Sequence, residues 1–586
     1  MKVLGISGLE KASAFKRANW PGLTESEYGI VPGLDSAAAL ISDGKLIVAA
    51  EQDRFSGRKH AGEFPVDAVR FCLQEAGTSL FEIDEIAHGF DFAPHQGLYT
   101  GDELSRAFYN KVLSRDVLLA QIRRDLPGFP EKNVHQVGHH LAHAASAAFT
   151  SGWDECLVVV NDTIAETESF SVYNFQNGKL EKIHSISVAD SVGVLYSLVA
   201  LHLGFNFHFD EHKVMALAPY GDAARFRKFF QESVHLCPDG SVAIPILKLN
   251  TTAAERENLA ATRAWLDKHL IPRRAAGEPL ETLHEDLAAA AQECLERATL
   301  HVCEHFGRKK GWRRLALAGR VALNSSANSR IAQSQCFDEV YVQPVAGDDG
   351  VAFGAALYRS ALAGKISNQR LSTPLLGPRY SSRDIETVLV RTNGKLKYKR
   401  HISLNETCAA AAHLISEGRV IAWSRGRMEY GPRSYGNRSI LADPGHPEMR
   451  DRINDMVHRQ ESFRPFAPAC ATEEAHRWFE VPPGAEFPTM TSSVKVRTEV
   501  RDRLPAVTNV NGFAQLQTVS EKDNPDFHAL LVAVGETTGR QMLLNTSFSV
   551  DGQPIVNTPE DAIEAFLVTG IDQLFLENFQ ISRAKS

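Results

Sequence analysis

Residues 426–468 restrict the possible structure of the chain most, because they interleave arginines with glycines and prolines. The guanidinium groups must therefore stand on a backbone that turns repeatedly. One guanidinium group can donate two parallel hydrogen bonds to two oxygens of a phosphate. Glycines let backbone N–H groups approach an anion closely. The pattern favours an anion-binding loop. The alternative is a solvated basic loop, but Met428, Tyr430 and Tyr435 within the stretch are side chains that a solvated loop does not need.

Length, charge and cysteine spacing limit the class of protein. A chain of 586 residues is too long to fold around one hydrophobic core, so two or three domains are expected. The net charge of −8 gives no reason to expect nucleic acid or an anionic membrane as the main partner. No apolar run approaches the roughly 18 residues of a membrane span, so we expect a cytoplasmic protein without a signal peptide. The cysteines form no CxxC pair, which favours reduced thiols over a zinc site or disulfides.

The N-terminal third has the pattern of a sheet. Residues 2–6 predict a buried strand, and residues 37–40 and 45–50 predict a hairpin across a Ser-Asp-Gly turn. Residues 8–32 between them form a polar insertion that contains glycine and proline. A loop over an active site and a surface loop without a role are both consistent with this composition.

Three histidines follow among alanines in residues 139–147. On a helix, His139 and His143 lie one turn apart on one face, close enough to share a metal ion, whereas His140 projects elsewhere. One histidine among alanines is more often a core residue, but three within five positions favour a site. Asp162 follows a predicted buried strand, and an acidic residue at the carboxyl end of a strand is where α/β sheets bind ligands.

Three runs in the second half resemble the carbamoyltransferases of natural-product biosynthesis and nodulation-factor modification. They are GRMEYGPRSYGNRSILADP at residues 426–444, FRPFAP at residues 463–468 and LLNTSFSVDGQPIVNTPEDA at residues 543–562. That family joins an N-terminal domain resembling the TsaD proteins of tRNA modification to a C-terminal domain resembling YrdC. The motifs are specific because several independent runs occur in the order of the family.

The resemblance implies an α/β protein with two functional parts. Residues 1–365 are expected to form an actin- and hexokinase-like, two-lobed, TsaD-like transfer domain with a metal site. Residues 366–382 are expected to be a linker, and residues 383–586 a YrdC-like α/β domain that forms carbamoyl adenylate.

The activity that the resemblance implies is ATP-dependent O-carbamoyl transfer in secondary metabolism, such as antibiotic biosynthesis. Carbamoyl phosphate and Mg-ATP give carbamoyl adenylate, and the carbamoyl group then passes to a hydroxyl of a small natural product. The residues implied to bind carbamoyl phosphate and ATP are Arg427, Arg433, Arg438, Ser439, Arg464, Asn545 and Ser547.

The resemblance also implies catalytic and metal-binding residues. The implied metal is Fe(II) or another divalent cation, and its ligands are His139, His143 and Asp348. The implied catalytic residues are Asp35, His140, Lys213 and Arg433. A solvated charged turn is an alternative interpretation of the residues around Lys213.

Five positions depart from the family pattern. Leu34 stands where a histidine is common, Thr163 where a glycine is common, and Arg320 in place of the second of two glycines. His458 and Gln460 stand where a lysine and an arginine are expected. Arg320 would either block adenine or offer a charge to phosphate.

These departures leave two competing hypotheses open. One is a small-molecule kinase of the actin-like superfamily, which explains the first half of the chain but leaves the arginine-rich second half without a task. The other is a non-catalytic homologue that binds nucleotide.

Overall fold

The computed structural model describes residues 1–392, 394–457, 463 and 466–584, without the side chains of residues 253 and 254. The chain divides into two compact units. The first unit comprises residues 1–53 and 60–371, and the second unit comprises residues 54–59 and 372–586. Residues 54–59 belong to the second unit although they follow the first hairpin in the chain. The assignment of one chemical step to each part of the chain stays a prediction.

The first unit begins with a lobe built on a five-stranded sheet. Its strands are β1 (Lys2–Ile6), β2 (Ala37–Ser42), β3 (Lys45–Glu51), β4 (Glu85–His88) and β5 (Val134–Gln136). The order in the sheet is β3-β2-β1-β4-β5, with β1 antiparallel to β2 and parallel to β4. The predicted first strand and hairpin are both present. The apolar residues of β1 and β2 and residues 48–50 of β3 are buried in this sheet, and the polar turn between β2 and β3 contains Gly44 at a φ of +81°.

Seven helices lie in the first 150 residues of the chain. They are α1 (Ala12–Asn19), α2 (Glu25–Tyr28), α3 (Asp53–Ser56), α4 (Val66–Glu75), α5 (Glu103–Phe108), α6 (Arg115–Asp125) and α7 (His139–Thr150). The polar insertion predicted at residues 8–32 contains α1 and α2. Phe15 and Val31 from this insertion pack with Leu34 and Phe90 in a small apolar core. The insertion is therefore an ordered part of the lobe, because its few apolar side chains are buried.

The second lobe repeats the strand order of the first. Its strands are β6 (Glu155–Asn161), β7 (Glu168–Gln176), β8 (Lys179–Ser187), β9 (His235–Leu236), β10 (Val242–Ala243), β11 (Arg314–Ala318) and β12 (Glu339–Val342). The main sheet has the order β12-β11-β6-β7-β8, and β9 pairs with β10 separately. In both lobes three antiparallel strands are followed by two parallel ones. The predicted actin- and hexokinase-like, two-lobed fold is thus confirmed.

The helices of the second lobe cover this sheet. They are α8 (Val192–His202), α9 (Glu211–Leu217), α10 (Ala224–Ser233), α11 (Ala253–Asn258), α12 (Ala260–His269), α13 (Thr282–Lys310), α14 (Ser325–Gln333) and α15 (Asp349–Leu362). Side-chain caps mark several starts: Ser191 accepts from the N–H of Val194, and Asn324 from that of Ala327. Among the described residues, no helix is long and apolar enough to cross a membrane.

Helices α7 and α15 connect the two lobes. Each follows the last strand of one sheet and packs on the other sheet, α15 on β1 and β2 and α7 on β6 and β11. They also pack on each other, and Gly354 makes this approach close. A Cβ atom added at Gly354 would lie 2.0 Å from the backbone oxygen of Ala142. Only glycine fits there, so the distance between these two helices is set by backbone contact.

The second unit is built on a mixed eight-stranded sheet with an additional strand pair. Its strands are β13 (Leu396–Arg400), β14 (Ile421–Ser424), β15 (Arg438–Ala442), β16 (Ala467–Ala471), β17 (Ser493–Lys495), β18 (Phe513–Gln515), β19 (Gln517–Val519), β20 (Met542–Ser547), β21 (Gln573–Leu576) and β22 (Phe579–Arg583). The order is β13-β22-β21-β14-β15-β20-β16-β19, and β17 pairs with β18. The adjacent strands β18 and β19 thus belong to different sheets.

Helices cover both faces of the large sheet. They are α16 (Ser382–Val390), α17 (Leu404–Ser416), α18 (Met449–Met456), α19 (Ala475–Trp478), α20 (Pro525–Thr538) and α21 (Pro559–Val568). Along β14, Ile421 and Trp423 pack towards α17 and α20, whereas Ala422 packs in the core that contains residues of α16 and α21. Successive strand residues point to opposite faces, so both faces must be apolar. The predicted α/β class of the second half is confirmed.

We expect Gly354→Ala to lower the unfolding free energy of the chain by about 1–3 kcal/mol, because the new methyl group would push α7 away from α15. A urea titration followed by circular dichroism measures this change. Gly97→Ala is the matched control, since a Cβ at Gly97 meets no atom within 4 Å. It should shift stability by no more than about 0.5 kcal/mol. Equal stability of the two variants would contradict the close helix packing.

Candidate active site

Two histidines at the start of α7 bring their rings together. His139 is the first residue of the helix and His143 lies one turn later, and both side chains are fully buried. Their Nε2 atoms are 3.1 Å apart. Nδ1 of His139 lies 3.2 Å from the backbone oxygen of Gly89, so a proton on Nδ1 is donated there and Nε2 is directed at the partner ring.

Two aspartates bring carboxylate groups to the same point. Asp162 follows β6, and its Oδ2 lies 3.3 Å from Nε2 of His139 and 3.9 Å from Nε2 of His143. Asp348 immediately precedes α15, and its Oδ1 lies 3.8 Å from Nε2 of His139. One ligand atom from each of the four residues lies within 4.8 Å of the others, and all four residues are buried. We call this group the His/Asp cluster.

Asp162 is the member that the sequence did not predict as a ligand. Its position after a buried strand marked it as a crevice residue, and this was the only signal in the sequence. The structure does bring together the three predicted ligands, His139, His143 and Asp348.

The donor atoms of the His/Asp cluster fit a first-row divalent cation. Imidazole nitrogens and carboxylate oxygens are common ligands of such ions, at bond lengths of about 2.0–2.2 Å. Ligand atoms around an ion are then about 3–4.4 Å apart, so small side-chain movements suffice to close this cluster. Within the described part of the chain, Oδ2 of Asp162 is buried and no donor meets hydrogen-bond geometry with it, although Nε2 of His139 lies 3.3 Å away. Buried polar atoms are rarely left unsatisfied, and a cation would satisfy this oxygen.

Burial and mutual charge determine the protonation of the cluster. Burial lowers the pKa of His139, but the carboxylates of Asp162 and Asp348 outweigh it and raise this pKa to about 9. Burial, together with the charge on His139, holds the pKa of His143 well below its usual value. The pKa of Asp162 is well below its usual value because the histidines outweigh the effect of burial. A metal ion would therefore compete with a proton on His139.

Arg320 adds a positive charge beside the cluster. Its Nη2 donates to Oδ2 of Asp35 and lies 3.9 Å from Oδ1 of Asp348, and its backbone N–H donates to Oδ1 of Asp162 at 2.9 Å. Gly319 allows the backbone path that places Arg320 here. Its φ is +89°, and a Cβ atom at this residue would lie 2.3 Å from a backbone oxygen. The structure thus directs Arg320 at carboxylates. Its predicted effect on adenine or phosphate remains a prediction.

Two of the predicted catalytic side chains contribute no ligand atom to the His/Asp cluster. Nδ1 of His140 lies 2.7 Å from Oγ of Ser171, whose hydroxyl donates to Glu168. Burial lowers the pKa of His140 to about 4, so its ring is neutral at pH 7. Nζ of Lys213 lies 3.3 Å from Oδ1 of Asp210, one turn earlier in the chain. Their catalytic roles remain predictions.

In the second unit, the arginine-rich stretch connects β14 to β15 and is organised by Glu429. This side chain is fully buried. Its Oε1 accepts the backbone N–H groups of Tyr435 at 2.7 Å, Asn437 at 2.8 Å and Arg438 at 3.1 Å. One carboxylate oxygen therefore fixes the path of the loop. The sequence did not single out Glu429, although a lone carboxylate within a basic loop was a signal for such a role.

Arg438 also holds the loop in place. Its guanidinium is buried; Nη1 donates to the backbone oxygens of residues 425, 426 and 437, and Nη2 donates to the backbone oxygen of Pro378. These donors are used for the main chain, which differs from the phosphate contacts that the resemblance implies. Phosphate binding by Arg438 remains a prediction.

Two further predicted arginines lie in the same loop. Nη1 of Arg433 donates to the backbone oxygen of Thr489 at 3.4 Å, and Nε of Arg427 donates to that of Gly377 at 3.4 Å. Burial lowers the pKa of Arg433. Phosphate binding by Arg427 and Arg433 remains a prediction.

The predicted polar residues of β15 and β20 lie beside this loop. Ser439 and Ser547 are opposite each other in the two strands. The amide of Asn545 donates to the backbone oxygen of Ser434 at 3.1 Å, while its own Oδ1 is buried and finds no hydrogen-bond partner among the described residues. Arg464, His458 and Gln460 lie outside the described residues.

Two family models match most of the chain. The model described as carbamoyltransferase N-terminus matches residues 28–357, and the one described as carbamoyltransferase C-terminus matches residues 412–583. The chain belongs to the carbamoyltransferase family. This confirms the predicted family and enzyme class and supports O-carbamoyl transfer over the kinase and the non-catalytic homologue.

Relatives of this carbamoyltransferase extend over most of its length. Nodulation protein NolNO of Sinorhizobium fredii is 36% identical over 557 residues, which cover 94% of this chain and 79% of that protein. Nodulation protein NolO of Bradyrhizobium diazoefficiens is 36% identical over 450 residues, covering 76% and 79%. The uncharacterized protein sll1178 of Synechocystis is 33% identical over 592 residues, covering 94% and 95%.

We expect the purified carbamoyltransferase to bind one equivalent of Fe(II) or Zn(II), measured by elemental analysis after dialysis. His143→Gln should weaken this binding at least about tenfold, because it removes one of four ligands. His140→Gln is the matched control and should retain the metal, since His140 contributes no ligand atom. Equal metal content in His143→Gln and the unmodified protein would contradict the assignment.

We expect Glu429→Gln to destabilise the second unit by about 1.5–3 kcal/mol, because three backbone N–H groups lose a charged acceptor. Urea unfolding measures this loss. Glu564→Gln on α21 is the matched control, since Glu564 is exposed. If both variants are equally stable, Glu429 does not organise the loop.

Proposed function

We propose that this protein is an ATP-dependent O-carbamoyltransferase that works in two steps. The second unit forms carbamoyl adenylate from carbamoyl phosphate and ATP, and the first unit transfers the carbamoyl group to a hydroxyl of a small natural product. One observation carries the proposal. Four side chains that could hold a metal ion converge in the first unit of a chain that carbamoyltransferase models match in both halves.

The first step must overcome charge repulsion between two anionic substrates. Carbamoyl phosphate and Mg-ATP repel each other, and guanidinium groups offset this repulsion by pairing with phosphate oxygens. We assign this task to Arg433 and Arg427, with Asn545 and Ser547 as hydrogen-bonding partners. Water converts carbamoyl phosphate to carbamate and phosphate. A carbamate oxygen then attacks the α-phosphorus of ATP, and pyrophosphate leaves.

The second step takes place beside the His/Asp cluster. His139, His143, Asp162 and Asp348 would hold Fe(II) or another divalent cation, which supplies a Lewis acid for the carbamoyl carbonyl or the phosphate oxygens. Burial of these four residues keeps water away from the activated carbamoyl group, which hydrolyses readily. Arg320 balances the negative charge of the carboxylates and offers a cation to the adenylate phosphate.

A pyrophosphate assay tests the proposal and separates it from its competitors. The protein, incubated with ATP and carbamoyl phosphate, should release pyrophosphate only when both substrates are present. ADP formed without carbamoyl phosphate would support a kinase instead. A protein that turns over neither substrate would support a non-catalytic homologue. A mass increase of one carbamoyl group identifies the acceptor among candidate alcohols.

Two variants should separate the two steps. Arg433→Ala should lower pyrophosphate release at least about 100-fold, because a preorganised cation is lost from the first step. His143→Ala should leave pyrophosphate release unchanged within about twofold and stop carbamoyl transfer. Arg383→Ala, which removes an exposed arginine of α16, is the matched control and should affect neither step. If His143→Ala stops both steps equally, the division of labour is wrong.

A further inference from the structure

A histidine that the sequence did not select is paired with Asp35. Nδ1 of His60 lies 2.7 Å from Oδ1 of Asp35. The second carboxylate oxygen of Asp35 accepts from Arg320. His60 and Asp35 both have left-handed backbone conformations, with φ of +59° and +56°. Non-glycine residues in this conformation are strained, and such strain is concentrated at functional sites.

The ring of His60 is held in one orientation. It stacks on Phe209 with a centroid distance of 4.3 Å and an interplanar angle of 17°. Burial would raise the pKa of Asp35, but the neighbouring His60 and Arg320 outweigh burial and hold it well below its usual range. Asp35 is therefore a carboxylate at neutral pH, and Nδ1 of His60 donates to it. In the neutral ring this tautomer places the lone pair on Nε2, for which the described part of the chain provides no hydrogen-bond partner.

His60 stands at the exposed end of a line of charges. The side chains of the His/Asp cluster are 0–3% exposed, that of Arg320 is 12%, that of Asp35 is 19% and that of His60 is 26% exposed. Arg320 connects the line, since it contacts Asp35 and lies 3.9 Å from Asp348. An alcohol arriving from solvent can therefore meet the imidazole of His60 on the way to the buried cluster.

The other candidate bases are less suited to take a proton from an alcohol. Both oxygens of Asp35 already accept hydrogen bonds, so a proton would have to displace one of these partners. His140 is only 3% exposed, so an alcohol from solvent reaches its ring less readily than it reaches that of His60. Leu34, which stands where the family pattern has a histidine, is buried in an apolar core.

We infer that His60, oriented by Asp35, is the general base of the carbamoyl transfer step. The inference rests on the proposed function. Nε2 of His60 takes the proton of the acceptor hydroxyl while the hydroxyl oxygen forms a bond to the carbamoyl carbon. The bond between that carbon and the phosphate oxygen breaks, AMP leaves, and the imidazolium releases its proton to water. Asp35 is a positioning residue in this step, because it acts through His60.

The test uses the metal-loaded full chain with ATP and 13C-labelled carbamoyl phosphate. Glycerol at molar concentration serves as the alcohol, and hydroxylamine serves as a nucleophile that needs less assistance from a base. His60→Gln should keep pyrophosphate release within twofold and lower transfer to glycerol by about 10²–10⁴-fold. Transfer to hydroxylamine should fall less than tenfold. Asp35→Asn should also lower transfer to glycerol more than transfer to hydroxylamine.

A rescue experiment separates chemistry from structure. Free imidazole should raise the rate of carbamoyl transfer to glycerol by His60→Ala at least tenfold. It should not change the rate of transfer by His143→Ala. His235→Gln, which changes an exposed histidine on β9, is the matched control and should behave like the unmodified protein.

Different outcomes identify different failures. Equal loss of transfer to glycerol and hydroxylamine without imidazole rescue would overturn the inference, and so would full glycerol transfer by His60→Gln. If the unmodified protein releases no pyrophosphate with both substrates present, the proposed function itself fails.

Discussion

The close contact of α7 with α15 is the constraint on which the candidate active site depends. Helix α7 carries His139 and His143 at its start, and Asp348 immediately precedes α15. The two helices follow the last strands of different sheets, so the two lobes determine where they begin. Gly354 then lets the backbones touch. A larger residue at this position would separate the histidines from the aspartate, and ligand geometry tolerates only small displacements.

Burial of so many charges requires compensation within the same region. An isolated carboxylate in a protein interior is very costly, so buried acids are paired or bind cations. Arg320 provides part of this compensation for Asp35, Asp162 and Asp348. This explains how an arginine fits where the family resemblance leads one to expect glycine. Its positive charge helps to lower the pKa of Asp35, whereas burial outweighs it at Asp348 and raises the pKa of that carboxyl to about 6.

The second unit uses the same principle for its arginine-rich loop. Glu429 accepts hydrogen bonds from three backbone N–H groups, and Arg438 donates hydrogen bonds to backbone oxygens. A buried anion and a buried cation therefore fix the conformation of the loop. Arg427 and Arg433 also lie in this loop, where each donates to a backbone oxygen at 3.4 Å. The number of arginines in a sequence does not distinguish binding of the main chain from binding of phosphate, because both need the same side chain.

The family was recognised from the motifs of the second half, whereas residue periodicity determined the first strand and hairpin, the apolar strand that precedes Asp162, and the spacing of His139 and His143. These depend on interactions between near neighbours in the chain, where a period of two or 3.6 residues decides which side chains share a face. Only the tertiary structure added Asp162 to the His/Asp cluster, directed Arg320 at Asp35 across 285 residues of chain, and paired His60 with Asp35. The sequence could not decide these contacts, because they depend on how sheets and helices pack and not on local periodicity.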